Sequence, residues 1–370
     1  MTPRCSADLL LLACFAGLGL PSITTAAEPP VEVKQAIAEL ASDTFLVREK
    51  ASDRLFAAGE LAIPGLEAAG GQGELETTIR ALQVLESLAV AAKTDATRDA
   101  ALAAVQRLAE TRVGRAEVVL AAITQARRAQ AIAHLESLGA IIHDQPIFVG
   151  AGFLPAEFSI EIGPGWRGQN EDLKQLTKIN DLRVLSLQGE QVDDAWLTHV
   201  AAVSTLQSIK LKKVKVTAAG LEQLRALKEL FALDLLYFPL DDAAAGPLTQ
   251  MPQLSSIRLF DTQVTKAAAA KLAADLPNTK IDVRRGGFLG IGVERHPLGC
   301  FVTRVEPKSV AALAGVSPGD IILSIAGERP VDFQNLTAII AKYRPGEEVT
   351  LELYRDDERE MLKLKLGEWE

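Results

Sequence analysis

Residues 206–221 read LQSIKLKKVKVTAAGL, a segment whose apolar spacing returns along the chain at a constant step of 24 residues. The triplets that share this spacing are Leu182, Leu185 and Leu187; Leu206, Ile209 and Leu211; Leu230, Leu233 and Leu235; Leu254, Ile257 and Leu259; and a degenerate copy at Asn278, Ile281 and Val283. Two further apolar columns keep the same step, one beginning at Val192 and one at Val200. Such a period predicts one short strand and one helix per unit, with the columns filling a continuous core.

This pattern resembles the bacterial leucine-rich repeats of the form L-x-x-L-x-L-x-x-T-x-V-T-x-A-G-L, most clearly over residues 216–221 and 262–265. The resemblance implies an α/β leucine-rich repeat solenoid, which we place at residues 141–283. The chain departs from the family at its usual Asn or Thr position, where it carries Glu190, Val214 and Phe238. The departure puts the regularity of the turns in doubt and leaves the predicted architecture unchanged.

Two outward strand positions of neighbouring repeats are apolar, namely Leu236 and Phe260. A parallel sheet would place these side chains next to each other on the concave face. An exposed apolar pair of this kind indicates a contact surface. Both a partner protein and a neighbouring domain of the same chain fit the observation, so Leu236 and Phe260 are candidate protein-contact residues.

The segment before the repeats shows helical periodicity, with apolar residues at Ile37, Leu40, Leu55 and Phe56. The string from Phe45 to Leu66 resembles a HEAT-type repeat, and residues 74–138 continue as Ala- and Leu-rich helices. We therefore predict all-α helical repeats over residues 28–140. The segment is either a helical cap or spacer for the solenoid, or a protein-docking surface.

The first residues have the pattern of a secretory signal peptide over residues 1–27. Arg4 provides a positive charge, Leu9 to Leu20 form a short apolar core, and small residues end at Ala27. We expect an exported protein of the periplasm or cell envelope, with extracellular release left open and no membrane span. A lipoprotein-type processing site at Cys14 is a weaker alternative. Cleavage after Ala27 would leave a single cysteine, Cys300, and hence no internal disulfide.

The last 87 residues, 284–370, resemble a PDZ domain of the kind found in bacterial HtrA proteases. The string Phe288-Leu289-Gly290-Ile291 matches the carboxylate-binding loop, and Pro318-Gly319-Asp320 matches a characteristic turn. The resemblance implies a small β-rich (α+β) domain in which the backbone N–H groups of the loop bind a terminal carboxylate. The strand that follows would pair with an incoming peptide as an added strand.

The predicted peptide site combines this loop, the start of the next strand and one face of a helix. Its members are Phe288, Leu289, Gly290, Ile291, Gly292, Val293, Leu336, Ile339 and Ile340. We assign Gly290 to its position because a Cβ atom would crowd the bound carboxylate. The ligands implied are proteins or peptides with apolar C-termini. A PDZ fold that serves only as packing is the alternative.

Composition and missing motifs set the functional expectation. A formal net charge of −9 argues against nucleic acid as a partner. The sequence contains no G-x-S-G-G nucleophile motif, no metal-ligand cluster and no phosphate loop, so we expect no catalytic residue, metal or cofactor. The multidomain chain is therefore expected to be a non-enzymatic adaptor that binds peptides, not an enzyme. The alternatives are a regulatory or targeting subunit of a separate envelope protease, and a structural protein with an idle groove.

Overall fold

The computed structural model describes residues 30–111, 113–144, 148–149, 152–153 and 158–369. The predicted signal peptide and Cys14 lie outside the described residues. The chain divides into two compact units, one ending at Ile123 and one beginning at Thr124. Among the described residues, no helix combines the length and the apolar character that crossing a bilayer requires.

The first unit is helical. It contains α1 (Val31–Glu39), α2 (Phe45–Ala58), α3 (Ile63–Gln72), α4 (Leu75–Ala91) and α5 (Asp95–Glu110), and α6 (Gly114–Ser137) begins in it. Fully buried side chains such as Leu55, Leu66 and Leu85 form its core. The predicted all-α character of this region is confirmed, whereas its assignment to HEAT-type repeats stays a prediction.

The second unit is built first around a seven-stranded sheet. Its strands lie in the order β1 (Ile141–His143), β4 (Phe158–Ile162), β5 (Leu182–Gln188), β6 (Ser208–Lys212), β7 (Ala232–Leu236), β8 (Ser256–Phe260) and β9 (Lys280–Arg284). The short strands β2 (Phe148–Val149) and β3 (Gly152–Phe153) pair separately. Strand β1 is antiparallel to β4, and all later neighbours in the large sheet are parallel.

The 24-residue period sets the register of this sheet. Leu185 pairs with Ile209, which pairs with Leu233, so equivalent positions lie side by side. The helices that return the chain are α7 (Asp194–Val200), α8 (Ala218–Gln223), α9 (Ala245–Thr249) and α10 (Lys266–Asp275). All three predicted apolar columns are buried at the sheet, apart from the partly buried or polar members of the degenerate last copy. The structure shows a mixed sheet with helices between its parallel strands, and the leucine-rich repeat solenoid stays a prediction.

Side-chain caps keep the turns between strand and helix regular. Asp193, Thr217, Asp241 and Thr265 stand 24 residues apart, and each accepts a hydrogen bond from a backbone N–H of the helical turn that follows it. Neighbouring turns are also joined, because Asp194 accepts both the N–H and the hydroxyl of Thr217, at 2.8 and 2.6 Å. These hydrogen bonds fix the turns, although positions 190, 214 and 238 carry Glu190, Val214 and Phe238 and not Asn or Thr.

The C-terminal part of the second unit is a five-stranded antiparallel sheet whose strands follow chain order. They are β10 (Ile291–His296), β11 (Gly299–Val305), β12 (Ile321–Ile325), β13 (Glu348–Arg355) and β14 (Glu358–Lys365). Two helices accompany the sheet, α11 (Val310–Leu313) and α12 (Phe333–Ile340). The small β-rich domain expected here is confirmed.

One buried ion pair holds the Pro318-Gly319-Asp320 turn against β13. Asp320 is 1% exposed and accepts two hydrogen bonds from Arg355, at 2.6 and 2.7 Å. The same carboxylate accepts the backbone N–H of Ser317 at 2.8 Å, and Arg355 also donates to the carbonyl of Gly315. Asp320 raises the pKa of Arg355, so this guanidinium stays charged. The turn motif therefore has a structural role in this domain.

Candidate peptide-binding groove

The candidate site is a groove between the edge strand β10 and the helix α12. Strand β10 is the first in the order of its sheet, so one of its two edges pairs with β11 and the other lies open within the described residues. A cavity of about 160 Å³ lies where the loop before β10 meets α12. Its walls are Arg285, Gly287, Phe288, Leu289, Gly290, Ile291, Glu306, Phe333, Leu336, Thr337, Ile340 and Trp369.

The loop at one end of this cavity is fixed through its carbonyl groups. The carbonyls of Leu289 and Gly290 accept the N–H groups of Ala311 and Glu306, at 3.1 and 2.8 Å. Phe288 exchanges two 2.8 Å backbone hydrogen bonds with Gly367. These contacts hold the loop from three segments of the chain.

The N–H groups of the same loop are not used in this way. Across the described part of the chain, no protein acceptor takes the N–H of Leu289 or of Gly290. Both residues are buried, and Leu289 is only 3% exposed. A buried donor without an acceptor costs about 1–3 kcal/mol. Two adjacent free N–H groups at the end of an apolar cavity form a site suited to a carboxylate.

Gly290 is required by the backbone and by its neighbour Ser309. Its φ is +78°, in the region that favours glycine. A Cβ atom there would lie 2.2 Å from Cβ of Ser309. Ser309 caps α11 and cannot move freely, because its hydroxyl accepts the N–H of Ala312. We expected Gly290 to leave space for the ligand carboxylate. The structure shows a different reason, because any larger residue at this position would collide with Ser309.

The structure brings together six of the nine predicted peptide-site residues. Phe288, Leu289, Gly290, Ile291, Leu336 and Ile340 all line the cavity. Gly292 and Val293 lie in the edge strand β10 and are not walls of the cavity. Ile339 packs into the domain core at 3% exposure and is not a wall of the cavity.

Six walls of the cavity were absent from the sequence prediction, among them Gly287 beside the loop. Phe333 lies four residues before Thr337, just as Leu336 lies four residues before Ile340. The i, i+4 spacing of α12 was therefore a signal that could have found Phe333 and Thr337. Arg285 and Glu306 flank the loop without a recognisable motif. Trp369 follows the last strand, and no sequence pattern relates it to the groove.

Trp369 is held by the sheet of 24-residue units as well as by the loop. The hydroxyl of Tyr237 accepts the backbone N–H of Trp369 at 2.5 Å and donates to its carbonyl at 3.1 Å. The indole donates to the carbonyl of Gly286 at 3.1 Å, and its ring lies 4.6 Å from that of Phe288. Burial raises the pKa of the Tyr237 hydroxyl, which therefore remains protonated as a donor.

Tyr237 belongs to a column of turn residues that contact the C-terminal domain. Lys213, Tyr237 and Asp261 stand 24 residues apart, directly after their strands, with φ of 54°, 62° and 49°. Lys213 binds the carboxylate of Glu368 at 2.6 Å, and Asp261 accepts the N–H of Gly286 at 3.4 Å. A left-handed conformation is rare for a bulky residue such as Tyr. These three turns therefore connect the sheet of 24-residue units, here called the repeat sheet, to the C-terminal domain.

Of the two contacts predicted for Leu236 and Phe260, the structure fits the one with another part of the same chain. The two residues are neighbours across β7 and β8, as predicted, but they are only 2% and 1% exposed. The guanidinium of Arg284 lies 5.0 Å from the Phe260 ring, and Leu236 borders a cavity between the sheet and the C-terminal domain. Because the chain itself covers both side chains, a partner protein has no access to them.

Other reactive groups lie away from the groove. His134 Nε2 is 2.8 Å from the carboxylate of Asp172, whereas the described residues show no hydrogen bond between a serine hydroxyl and a histidine ring. Cys300 is fully buried, and burial raises the pKa of its thiol. The described residues also contain no cluster of His, Cys, Asp and Glu that could hold a metal ion.

Comparison with known proteins assigns the C-terminal domain. Residues 287–366 match the PDZ domain family. A probable periplasmic serine endoprotease, DegP-like, of Bartonella henselae is 42% identical over 59 residues, covering 16% of this chain and 12% of the relative. A probable periplasmic serine protease, do/HhoA-like, of Haemophilus influenzae is 40% identical over 68 residues, covering 18% and 15%. The C-terminal domain is a PDZ domain of the HtrA type.

A solved structure, the HtrA-type protease AlgW with decapeptide, is 23% identical and covers 29% of this chain and 35% of its own, with a TM-score of 0.24. That score is too low to support a structural argument. The chain spans only 12–15% of the two curated relatives' lengths. The relatives' names place them in the periplasm, which agrees with a periplasmic or envelope location for this chain.

The same relatives overturn the functional expectation. Both are named as serine proteases, so the prediction of a non-enzymatic adaptor, and of a chain that is not an enzyme, is wrong. That prediction depended on the absence of a G-x-S-G-G sequence. A missing motif is a poor test of activity, because catalytic groups meet in space and not in sequence.

Proposed function

We propose that this chain takes part in HtrA-type proteolysis in the bacterial envelope, and that its PDZ domain binds the C-terminal tails of polypeptides that end in an apolar residue. The observation that carries the binding proposal is the pair of free N–H groups at Leu289 and Gly290, beside an apolar cavity. The proteolytic part of the proposal is supported by the named activity of the relatives.

The groove can recognise a tail through three kinds of contact. The tail adds as a strand to the open edge of β10, which supplies affinity with little sequence preference. The terminal carboxylate accepts the N–H groups of Leu289 and Gly290. The last side chain enters the cavity between Ile291 on the strand and Leu336 and Ile340 on α12. Arg285 and Glu306 both line the cavity, so its wall carries one charge of each sign, and the Arg285 guanidinium also donates to the carbonyl of Val264 at 2.8 Å.

The sheet of 24-residue units serves in this proposal as a leucine-rich repeat scaffold for the PDZ domain. Its turn residues Lys213, Tyr237 and Asp261 contact the segments on either side of the matched PDZ residues. The HEAT-like region is proposed as a second helical repeat module, whose role as spacer or docking surface is open.

Peptide binding is tested on the full chain with two versions of one labelled peptide, a free acid and a C-terminal amide. We expect the free acid to bind with a Kd on the order of micromolar, about −8 kcal/mol. Amidation removes the charge that the loop recognises, so it should weaken binding at least about tenfold. Equal binding of the two versions would contradict the carboxylate mechanism.

Proteolysis is tested with an unfolded protein that carries an apolar free C-terminus. The purified chain is added to this substrate alone, and also to envelope extract depleted of the chain. Tail-dependent cleavage in either mixture supports a role in proteolysis, and the first mixture tests whether the chain itself cleaves. A lack of cleavage in both mixtures would contradict the proteolytic proposal while leaving peptide binding to be judged separately.

A further inference from the structure

The groove has a wall that lies outside the residues matched to the PDZ family. The match ends at residue 366, and Trp369 lines the cavity three positions later. We propose that Trp369 sets the size of the pocket for the last side chain, so that tails ending in an aliphatic residue bind in preference to tails ending in an aromatic one. This inference rests on the proposed peptide binding.

Trp369 stands between two cavities of very different size. The groove cavity of about 160 Å³ and a second cavity of about 900 Å³, between the repeat sheet and the PDZ domain, share only Phe288, Glu306 and Trp369 among their walls. Phe288 and Trp369 contact each other at 4.6 Å between ring centroids. The indole therefore helps to separate the small pocket from the larger space behind it.

The separating side chain is fixed from several directions. Its backbone is bound on both sides by the Tyr237 hydroxyl, and its indole N–H is bound by the carbonyl of Gly286. The guanidinium of Arg284 lies 4.6 Å from the ring centroid, within the range of a cation–π contact. The preceding residue, Glu368, is clamped by Lys212 and Lys213 at 2.5 and 2.6 Å. A side chain held in this way is a firm boundary.

The size of the pocket decides which side chains fit. The cavity is small, about 160 Å³, and Trp369 is one of its walls. The side chains of Val and Leu are shorter and narrower than those of Phe and Trp, so a fixed wall at this position restricts the aromatic side chains most. An aromatic residue would have to displace Trp369 and break the contacts that hold it.

The test measures the binding of four free-acid peptides that differ only in the last residue, Val, Leu, Phe or Trp, to the full chain. We expect the wild-type chain to bind the Leu peptide at least about tenfold more tightly than the Phe peptide. Trp369→Ala should join the two cavities and bring that ratio to within about twofold. Trp369→Phe keeps an aromatic wall and should retain most of the preference.

A second pair of variants separates pocket size from general loss of stability. Tyr237→Phe removes only the hydroxyl that holds Trp369, and it should reduce the preference for Leu over Phe. Tyr354→Phe removes a hydroxyl that bonds to Asp357 on the far strand pair of the domain, and it should leave the preference unchanged. Thermal unfolding confirms that each variant is folded.

The outcomes distinguish this inference from the proposed function. If no free-acid peptide binds the wild-type chain, the proposed function fails. If peptides bind and folded Trp369→Ala keeps the wild-type ratio of Leu to Phe affinity, the peptide-binding proposal stands and Trp369 is not the specificity residue.

Discussion

The hydroxyl of Tyr237 bonds to both the N–H and the carbonyl of Trp369, a residue 132 positions later in the chain. This contact joins a turn of the repeat sheet to the segment that closes the PDZ groove. Since the PDZ match begins at residue 287 and β9 ends at Arg284, the covalent connection is also short. The two parts of the second unit are therefore expected to move together.

Removing the Tyr237 hydroxyl should loosen this joint. In Tyr237→Phe the N–H of Trp369 loses its acceptor in a half-buried position, which costs about 1–3 kcal/mol. We expect faster independent reorientation of the PDZ domain in NMR relaxation, together with a lower stability of the second unit in urea. If the relaxation rates of the wild-type chain already show an independently tumbling PDZ domain, the expectation that the two parts move together is wrong.

Acid pH should weaken the same joint through Glu368. Burial opposes ionisation of this carboxyl, but hydrogen bonds from Lys212 and Lys213 outweigh it and lower the pKa of Glu368 below its ordinary value of 4.5. The folded state thus holds the proton less tightly than the unfolded state. The stabilisation is complete above about pH 4.5 and is lost as the pH falls through the lower, folded-state pKa.

The variant Glu368→Gln measures this contribution. At neutral pH it should unfold at a lower temperature than the wild-type chain, and the difference between the two Tm values should shrink as the pH falls below 4. Glu190→Gln, which removes an exposed partner of Lys215, is the matched control and should change Tm little. A Tm difference for Glu368→Gln that stays constant from pH 7 to pH 3 would count against the ion-pair explanation.

The Asp320–Arg355 pair should stabilise the PDZ domain far more than its surface ion pairs do. In Asp320→Ala the N–H of Ser317 loses its buried acceptor, whereas Arg355 is 28% exposed and keeps Glu360 as a partner, so we expect a cost of about 1–3 kcal/mol. The exposed pair of Arg359 and Glu352 is the control, and Arg359→Ala should cost about 0–1 kcal/mol. Chemical unfolding of both variants checks the difference, and similar losses would show that the buried pair has no special role.

The sequence predicted the features that depend on a period. A repeat of 24 residues brings Leu185, Ile209 and Leu233 into one row, because parallel strands of equal units align equivalent positions. The same logic identified the adjacency of Leu236 and Phe260. It could not reveal that both are buried, since the C-terminal segment that lies beside Leu236 comes from outside the regular units.

The turn residues that contact the PDZ domain, and Trp369 in the wall of the groove, could not be predicted from a period. Lys213, Tyr237 and Asp261 occupy one column, but they share no chemistry, and each binds a different group in or beside the PDZ domain. The PDZ loop was recognisable because backbone geometry demands particular residues there, such as Gly290 at positive φ. Trp369 follows no such rule, because only the tertiary structure brings it to the groove.

The free N–H groups of Leu289 and Gly290 are proposed to bind the terminal carboxylate, and NMR can observe them directly. The full chain, labelled with ¹⁵N, is titrated with a peptide ending in Leu as a free acid and then with the same peptide as an amide. We predict that the free acid moves the amide proton signals of Leu289 and Gly290 downfield, as expected for new hydrogen bonds to a carboxylate, and that the amide does not. Binding of the free acid that leaves both signals unmoved would contradict the claim that this loop recognises the C-terminus.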